Sequence, residues 1–182
     1  MDTNRYTSEG RLIAEINFEI FKINTLLMQG GDRMMKSTSL TIARWLMLLA
    51  LEDTPITVAQ AARLVGIRRQ SAQHLVDALA ENGLVELVPN QNHRRAMLVK
   101  ITDLGRGKLR QAEVVHSDAT NNLARGMDVN ALVVTRETLY AVRRRIKELN
   151  MQNAEEEKSS LPSAFCGMSE DLENRLRKRH SA

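Results

Sequence analysis

The chain has 182 residues, enough for one domain with its own core or for a small domain with helical arms, and its 43% hydrophobic and 26% charged residues are typical of a soluble globular protein. Its longest apolar run, residues 45–51, is too short to cross a bilayer, and its single cysteine excludes an intrachain disulfide. The N-terminus has no apolar signal core, so the sequence predicts a cytoplasmic protein without membrane contact.

The net charge is +4, and its distribution along the chain is more informative than its size. Residues 54–76 and 87–102 contain no acidic side chain, whereas acids flank and separate these two windows. The cations in the two windows include Arg63, Arg68, Arg69, Arg94, Arg95 and Lys100. Such windows are typical of a face that binds a polyanion, although on charge alone chance clustering explains them equally well.

Two helices are predicted before residue 55. Residues 8–29 carry apolar side chains at helical spacing. Further apolar residues make this apolar stripe wider than one flank of the helix would bury. The pair Gly30-Gly31 is expected to weaken or bend this helix. A second helix is predicted from Thr41, its cap, to about Leu51.

Residues 57–82 show the pattern of a helix-turn-helix. Thr57 is predicted to cap a short helix that ends at Gly66, and a second helix follows from about residue 69 to residue 82. The small Ala62 lets the helices cross closely. In the second helix the core positions are Ala72, Leu75, Val76 and Leu79. Its first turns then present Arg69, Gln70, Gln73 and His74 outward, where they can meet base edges in a major groove.

A β-hairpin is predicted next, with strands at residues 84–88 and 97–101 and a polar, basic loop between them. At its tip, His93, Arg94 and Arg95 are placed to contact a phosphate backbone or a minor groove. Thr102 is predicted to cap a helix that runs to about residue 124, with Leu123 facing inward, and a last helix spans residues 129–149. The fold class is therefore mainly α with a small β-hairpin wing. Residues 151–182 are expected to form a polar tail, disordered or with one short helix.

The segment GIRRQSAQHLVDALAENGLVELVPNQNHRRAMLVKITDLGRGKL resembles the MarR (multiple-antibiotic-resistance regulator) family of winged-helix transcriptional regulators. The resemblance is strong over residues 39–110, where it includes SLTIARWLMLL and TDLGR, and looser over residues 10–150. It implies a winged helix-turn-helix at residues 39–102 and a dimerisation region formed by residues 8–36 and 103–150. It also implies a homodimer on a pseudo-palindromic site in double-stranded DNA, acting as a repressor and released by a small aromatic or anionic effector.

Matched by position, the groove-contacting residues of the family correspond to Arg69, Gln70, Ser71, Gln73 and His74, and its wing-tip arginine corresponds to Arg95. Two positions depart from the family pattern. Arg68 stands where a serine is usual, and His93 where an aspartate that braces the wing is usual. Arg68 cannot cap a helix, so either a DNA phosphate completes the cap or the helix begins later, with Ser71 as its cap.

The resemblance also implies an effector site, for which Phe21, Arg44 and Trp45 are the candidates. Packing in the core explains Phe21 and Trp45 as well, and Arg44 is equally well explained as a solvated surface residue. No nucleophile–base pair, metal-ligand spacing or phosphate loop occurs in the sequence, so we expect neither an enzyme nor a cofactor. Two alternative functions remain open: a winged helix that binds proteins, and an architectural DNA-binding protein of low specificity.

Overall fold

The computed structural model describes residues 5–91 and 96–156. The described residues fall into two compact units, residues 5–117 and residues 118–156. The first unit contains most of the helices and the only sheet described. The second contains the end of one helix and the whole of the last one. The mainly helical fold class with a small antiparallel sheet is confirmed.

The first helix, α1 (Ser8–Met34), is capped by Thr7 and continues through the glycine pair. The glycine pair therefore does not end the helix. Gly31 is buried, and a Cβ there would collide with the side chain of Ile42 in α2 (Ile42–Ala50). The glycine thus permits close packing of the two helices. Thr41 accepts a hydrogen bond from the backbone N–H of Arg44, which confirms it as the cap of α2.

The predicted helix-turn-helix is confirmed as α3 (Val58–Val65) and α4 (Arg69–Glu81). Thr57 and Gln60 form a reciprocal capping box at the start of α3. Gly66 adopts a left-handed conformation (φ 77°), and its N–H donates to the carbonyl of Ala62 over 2.9 Å. Glycine makes this turn without steric cost, so the chain reverses directly into α4.

The hairpin strands are β2 (Val85–Val88) and β3 (Leu98–Ile101), and they pair in antiparallel register. The sequence did not predict β1 (Ile56–Thr57), which pairs with the other side of β3. The order of strands is therefore β1-β3-β2. This arrangement anchors the base of the hairpin to the residues that begin α3.

A continuous aliphatic core joins α2, α3, α4 and the sheet. Its fully buried large side chains include Met47, Leu48, Leu49, Leu79 and Val99. Helix α5 (Asp103–Leu123) joins this core through its first turns. Thr102 caps α5 by accepting from the backbone N–H of Gly105, and it donates to the carbonyl of Gly83. A Cβ on Gly105 would meet the backbone carbonyl of Leu84, so α5 packs directly against main chain.

The last helix, α6 (Val129–Glu156), extends beyond the predicted end. Residues 151–156 are helical, which corrects the prediction that the tail begins at residue 151. The remainder of the predicted tail, residues 157–182, lies outside the described residues. Leu123, predicted to face inward, is 71% exposed. In α6, Leu132, Leu139, Ile146 and Leu149 are also exposed.

Candidate DNA interface

Helix α4 separates an apolar face from a polar face. Ala72, Val76 and Leu79 are buried in the core, as the spacing predicted. The outer face of its first turns carries five exposed side chains, those of Arg69, Gln70, Ser71, Gln73 and His74. The candidates on this helix therefore share one solvent-facing surface. Its donors and acceptors suit contact with base edges.

The start of α4 has no side-chain cap. Arg68 is the N-cap residue, with extended backbone (φ −65°, ψ 144°), and its carbonyl accepts from the N–H of Ala72 over 3.0 Å. The helix thus begins at Arg69, and the alternative in which Ser71 caps a later start is wrong. The first amides of an uncapped helix lack internal partners and carry the positive end of the helix dipole. With the exposed guanidinium of Arg68 beside them, they suit binding of a phosphate.

A groove of about 480 Å³ runs between α4 and the hairpin. Arg69 and Gln73 line one wall, Leu87 and Met97 of the hairpin line the other, and the start of α3 contributes Thr57. Helix α4 and the base of the hairpin thus flank one open groove on the outer surface.

Gln73 has a partner within its own helix. Its Nε2 donates to Oδ1 of Asp77 over 2.8 Å, one helical turn later. This contact was not predicted from the sequence. The signal was available, because side chains four residues apart in a helix are neighbours.

Part of the predicted wing lies outside the described residues, including His93, Arg94 and Arg95. At the base of the hairpin, Lys100 is directly opposite Glu86, and the two form an ion pair of 2.8 Å. Lys100 belonged to the second acid-free window in the sequence. Its charge is therefore locally matched by a carboxylate from the neighbouring strand.

The three effector candidates differ in burial and surroundings. Phe21 is 62% exposed on α1, whereas Trp45 is 5% exposed and its ring lies 4.6 Å from that of His116. Arg44 lines a cavity of about 120 Å³ together with Lys108, which was not predicted from the sequence as a site residue. Within the described part of the chain, Nε1 of Trp45 is a buried donor without a hydrogen-bond partner.

Comparisons with known proteins agree with this geometry. A model of the MarR family matches residues 38–96, from the segment before α2 to the described base of the wing. An uncharacterized protein of Mycobacterium tuberculosis is 35% identical over 127 residues, covering 70% of this chain and 89% of that protein. The transcriptional activatory protein BadR of Rhodopseudomonas palustris is 27% identical over 107 residues, covering 57% of this chain and 61% of BadR.

Among solved structures, the fold is similar to that of a mutant MarR from E. coli complexed with operator DNA. The TM-score is 0.66 at 21% identity, over 71% of this chain and 94% of that one. This likeness concerns the fold alone. In the described part of this chain, none of the helices is long and apolar enough to cross a membrane.

Proposed function

Because the chain belongs to the MarR family of transcriptional regulators, we propose that it is a cytoplasmic, homodimeric repressor that binds a pseudo-palindromic operator. The observation that carries this proposal is the outer face of α4. It presents Arg69, Gln70, Gln73 and His74 to solvent at an uncapped helix start that is preceded by Arg68. Phosphates would bind at the helix start, and the amide, imidazole and guanidinium groups would contact base edges.

Exposed apolar surface supports the homodimer. Helix α1 exposes Leu12, Phe18, Ile23, Leu26 and Leu27, and α6 exposes apolar side chains along its length. Exposure of so much apolar surface to water is energetically unfavourable, and a second copy of the chain would cover it. We propose residues 8–36 and 103–150 as the dimerisation region and residues 39–102 as the DNA-binding domain. The dimer would then hold two α4 helices at a fixed separation.

Repression is the direction we propose, since a dimer seated across an operator within a promoter blocks polymerase by occupancy alone. BadR, an activator, is the relevant counter-example among the relatives. Transcription in vitro from a promoter that contains the selected operator tests this point. Repression predicts fewer transcripts as the protein is added, and an increase would contradict it.

We further propose that a small aromatic effector binds at Trp45, because its buried Nε1 has no acceptor among the described residues and a phenol or carboxylate oxygen could supply one. Trp45 is the only tryptophan, so its fluorescence reports on that position. Titration with small phenols and aromatic carboxylates should change the emission and weaken DNA binding over the same concentration range. A compound that releases DNA equally well from a Trp45→Phe variant would argue for another site, such as the cavity lined by Arg44.

Selection of bound duplexes from a random pool, repeated at several salt concentrations, tests the main proposal. The proposal predicts a two-fold symmetric consensus and an affinity that falls steeply with salt. An architectural protein would leave a featureless pool although its binding remained salt-dependent. A protein-binding winged helix would give no salt-dependent DNA complex, and either result would refute the proposal.

A further inference from the structure

The hydrogen bond from Gln73 to Asp77 is a feature of α4 that the proposed DNA contacts do not explain. The two side chains are exposed one turn apart on the outer face, and their Nε2 and Oδ1 atoms are 2.8 Å apart. A carboxylate only accepts hydrogen bonds, so it holds the amide with Nε2 toward Asp77 and Oε1 turned away. Arg69 precedes Gln73 by one turn, and both line the groove beside the hairpin.

The orientation of the amide matters because its two ends have opposite hydrogen-bonding polarity. With one N–H donated to Asp77, Gln73 presents its second N–H together with Oε1. This donor–acceptor pair matches N7 and the N6 amino group of adenine, whereas guanine offers two acceptors in the major groove. Water weakens the Gln73–Asp77 bond in the free protein. Exclusion of water by DNA would strengthen it at the moment of recognition.

We propose that Asp77 is a positioning residue that makes Gln73 select adenine at one position of each half-site. Asp77 acts through Gln73 and does not touch the base itself. The inference rests on the proposed function, because it requires sequence-selective binding by α4. The carboxylate also repels phosphates, and this repulsion lowers the affinity for all sequences alike. Removal of Asp77 should therefore affect total affinity and base preference in different ways.

A double-mutant cycle on DNA tests this inference. The Kd of the wild type, Asp77→Ala, Gln73→Ala and the double variant is measured at one salt concentration on the selected duplex. The measurement is repeated on duplexes in which each base pair is substituted in turn. Loss of preference in Gln73→Ala identifies the base pair that Gln73 contacts. We expect Asp77→Ala to reduce the preference for adenine there about tenfold, within the range of a bidentate contact, with equal or higher total affinity.

In the Gln73→Ala background, removal of Asp77 should change no base preference. Asp77→Asn should lose the preference, because an amide can present either end to Gln73, whereas Asp77→Glu should retain it. Glu81→Ala is the matched control, since it removes an exposed acid of the same helix. It should raise affinity for all duplexes without changing their ranking. Thermal unfolding of each variant checks that the fold is intact.

Three results would overturn the inference. The first is an unchanged adenine preference in Asp77→Ala, and the second is a change in preference at any base pair when Asp77 is removed from the Gln73→Ala variant. The third is an equal loss in Glu81→Ala. A wild-type protein with no preference at any base pair would overturn the proposed function and this inference together. If the wild type selects a two-fold symmetric sequence but one of these three results is obtained, this inference alone is overturned.

Discussion

The segment from α2 to the first turns of α5 and the long helices α1 and α6 differ in where their apolar side chains lie. In the first region, Leu48, Leu79 and Val99 are fully buried. In α1, Leu26 is 67% exposed, and α6 has no buried residue among those described. One region therefore carries its own core, whereas the other has exposed apolar side chains that the proposed dimer would cover. We expect substitutions in the first region to lower stability by the same amount at every protein concentration. Substitutions in the second region should act by weakening the dimer, so their effect should depend on protein concentration.

The largest effect is expected from a charge placed in the uncovered region. Leu26→Glu would bury an unpaired carboxylate from each copy in the proposed dimer interface, at a cost of several kcal/mol. We expect the Kd of the dimer, measured by sedimentation equilibrium, to rise at least about 100-fold. Gln29→Glu adds the same charge to an exposed position of the same helix and should change the Kd much less. An unchanged Kd in Leu26→Glu would place the dimer interface elsewhere.

The next largest effect concerns the region with its own core. Gly105→Ala forces a Cβ against the carbonyl of Leu84, and we expect the free energy of unfolding to fall by about 3 kcal/mol. Gly107→Ala, in the same helix, meets nothing within 4 Å and should stabilise by about 0.5–1 kcal/mol. Urea denaturation at two protein concentrations measures both. If both variants changed the free energy of unfolding in the same direction, α5 would not pack on the main chain of Leu84.

A smaller effect separates stability from DNA binding at the start of α4. Arg68→Ser supplies the missing cap and should raise the free energy of unfolding by about 1 kcal/mol. Loss of one phosphate contact per copy should reduce the slope of log K against the logarithm of the salt concentration. The reduction should be about 2 in a dimer and about 1 in a monomer. Arg110→Ser, which removes an exposed cation of α5, is the control. If Arg68→Ser and Arg110→Ser reduced the slope alike, Arg68 would have no specific phosphate contact.

The smallest effect is expected at the base of the hairpin. The double change Lys100→Gln with Glu86→Gln removes the ion pair while the net charge stays the same. An exposed pair contributes less than about 1 kcal/mol, so stability should change little. DNA affinity, measured by fluorescence anisotropy, should stay within about twofold if Lys100 serves mainly to pair with Glu86. A much larger loss of affinity would mean that Lys100 contacts DNA directly.

Much of the helix-turn-helix was predictable because single residues specify it. Thr57 fixes the start of α3, Gly66 makes the turn, and the spacing of Ala72, Val76 and Leu79 defines the buried face of α4. These are local rules of capping, backbone conformation and periodicity. They hold within one element and its immediate turn.

The features that sequence reasoning missed depend on contacts between elements or on very short segments. Strand β1 has two residues, too few for any periodicity, and it exists because β3 offers a free edge. The pairing of Lys100 with Glu86 requires the strand register, which sequence reasoning did not provide. The close approach of Gly31 to Ile42 could not be predicted, because Ile42 belongs to a different helix. A polar composition does not by itself end a helix, and α6 therefore extends beyond the end that the sequence predicts.

The central claim is that the uncovered helices unite two copies so that two α4 helices bind one operator. The mass of the complex with the selected duplex, measured by light scattering at a saturating protein concentration, tests it most directly. We expect two chains per duplex for the wild type, and no stable complex of two chains for Leu26→Glu at the same concentration. A wild-type complex with a single chain per duplex would contradict the account.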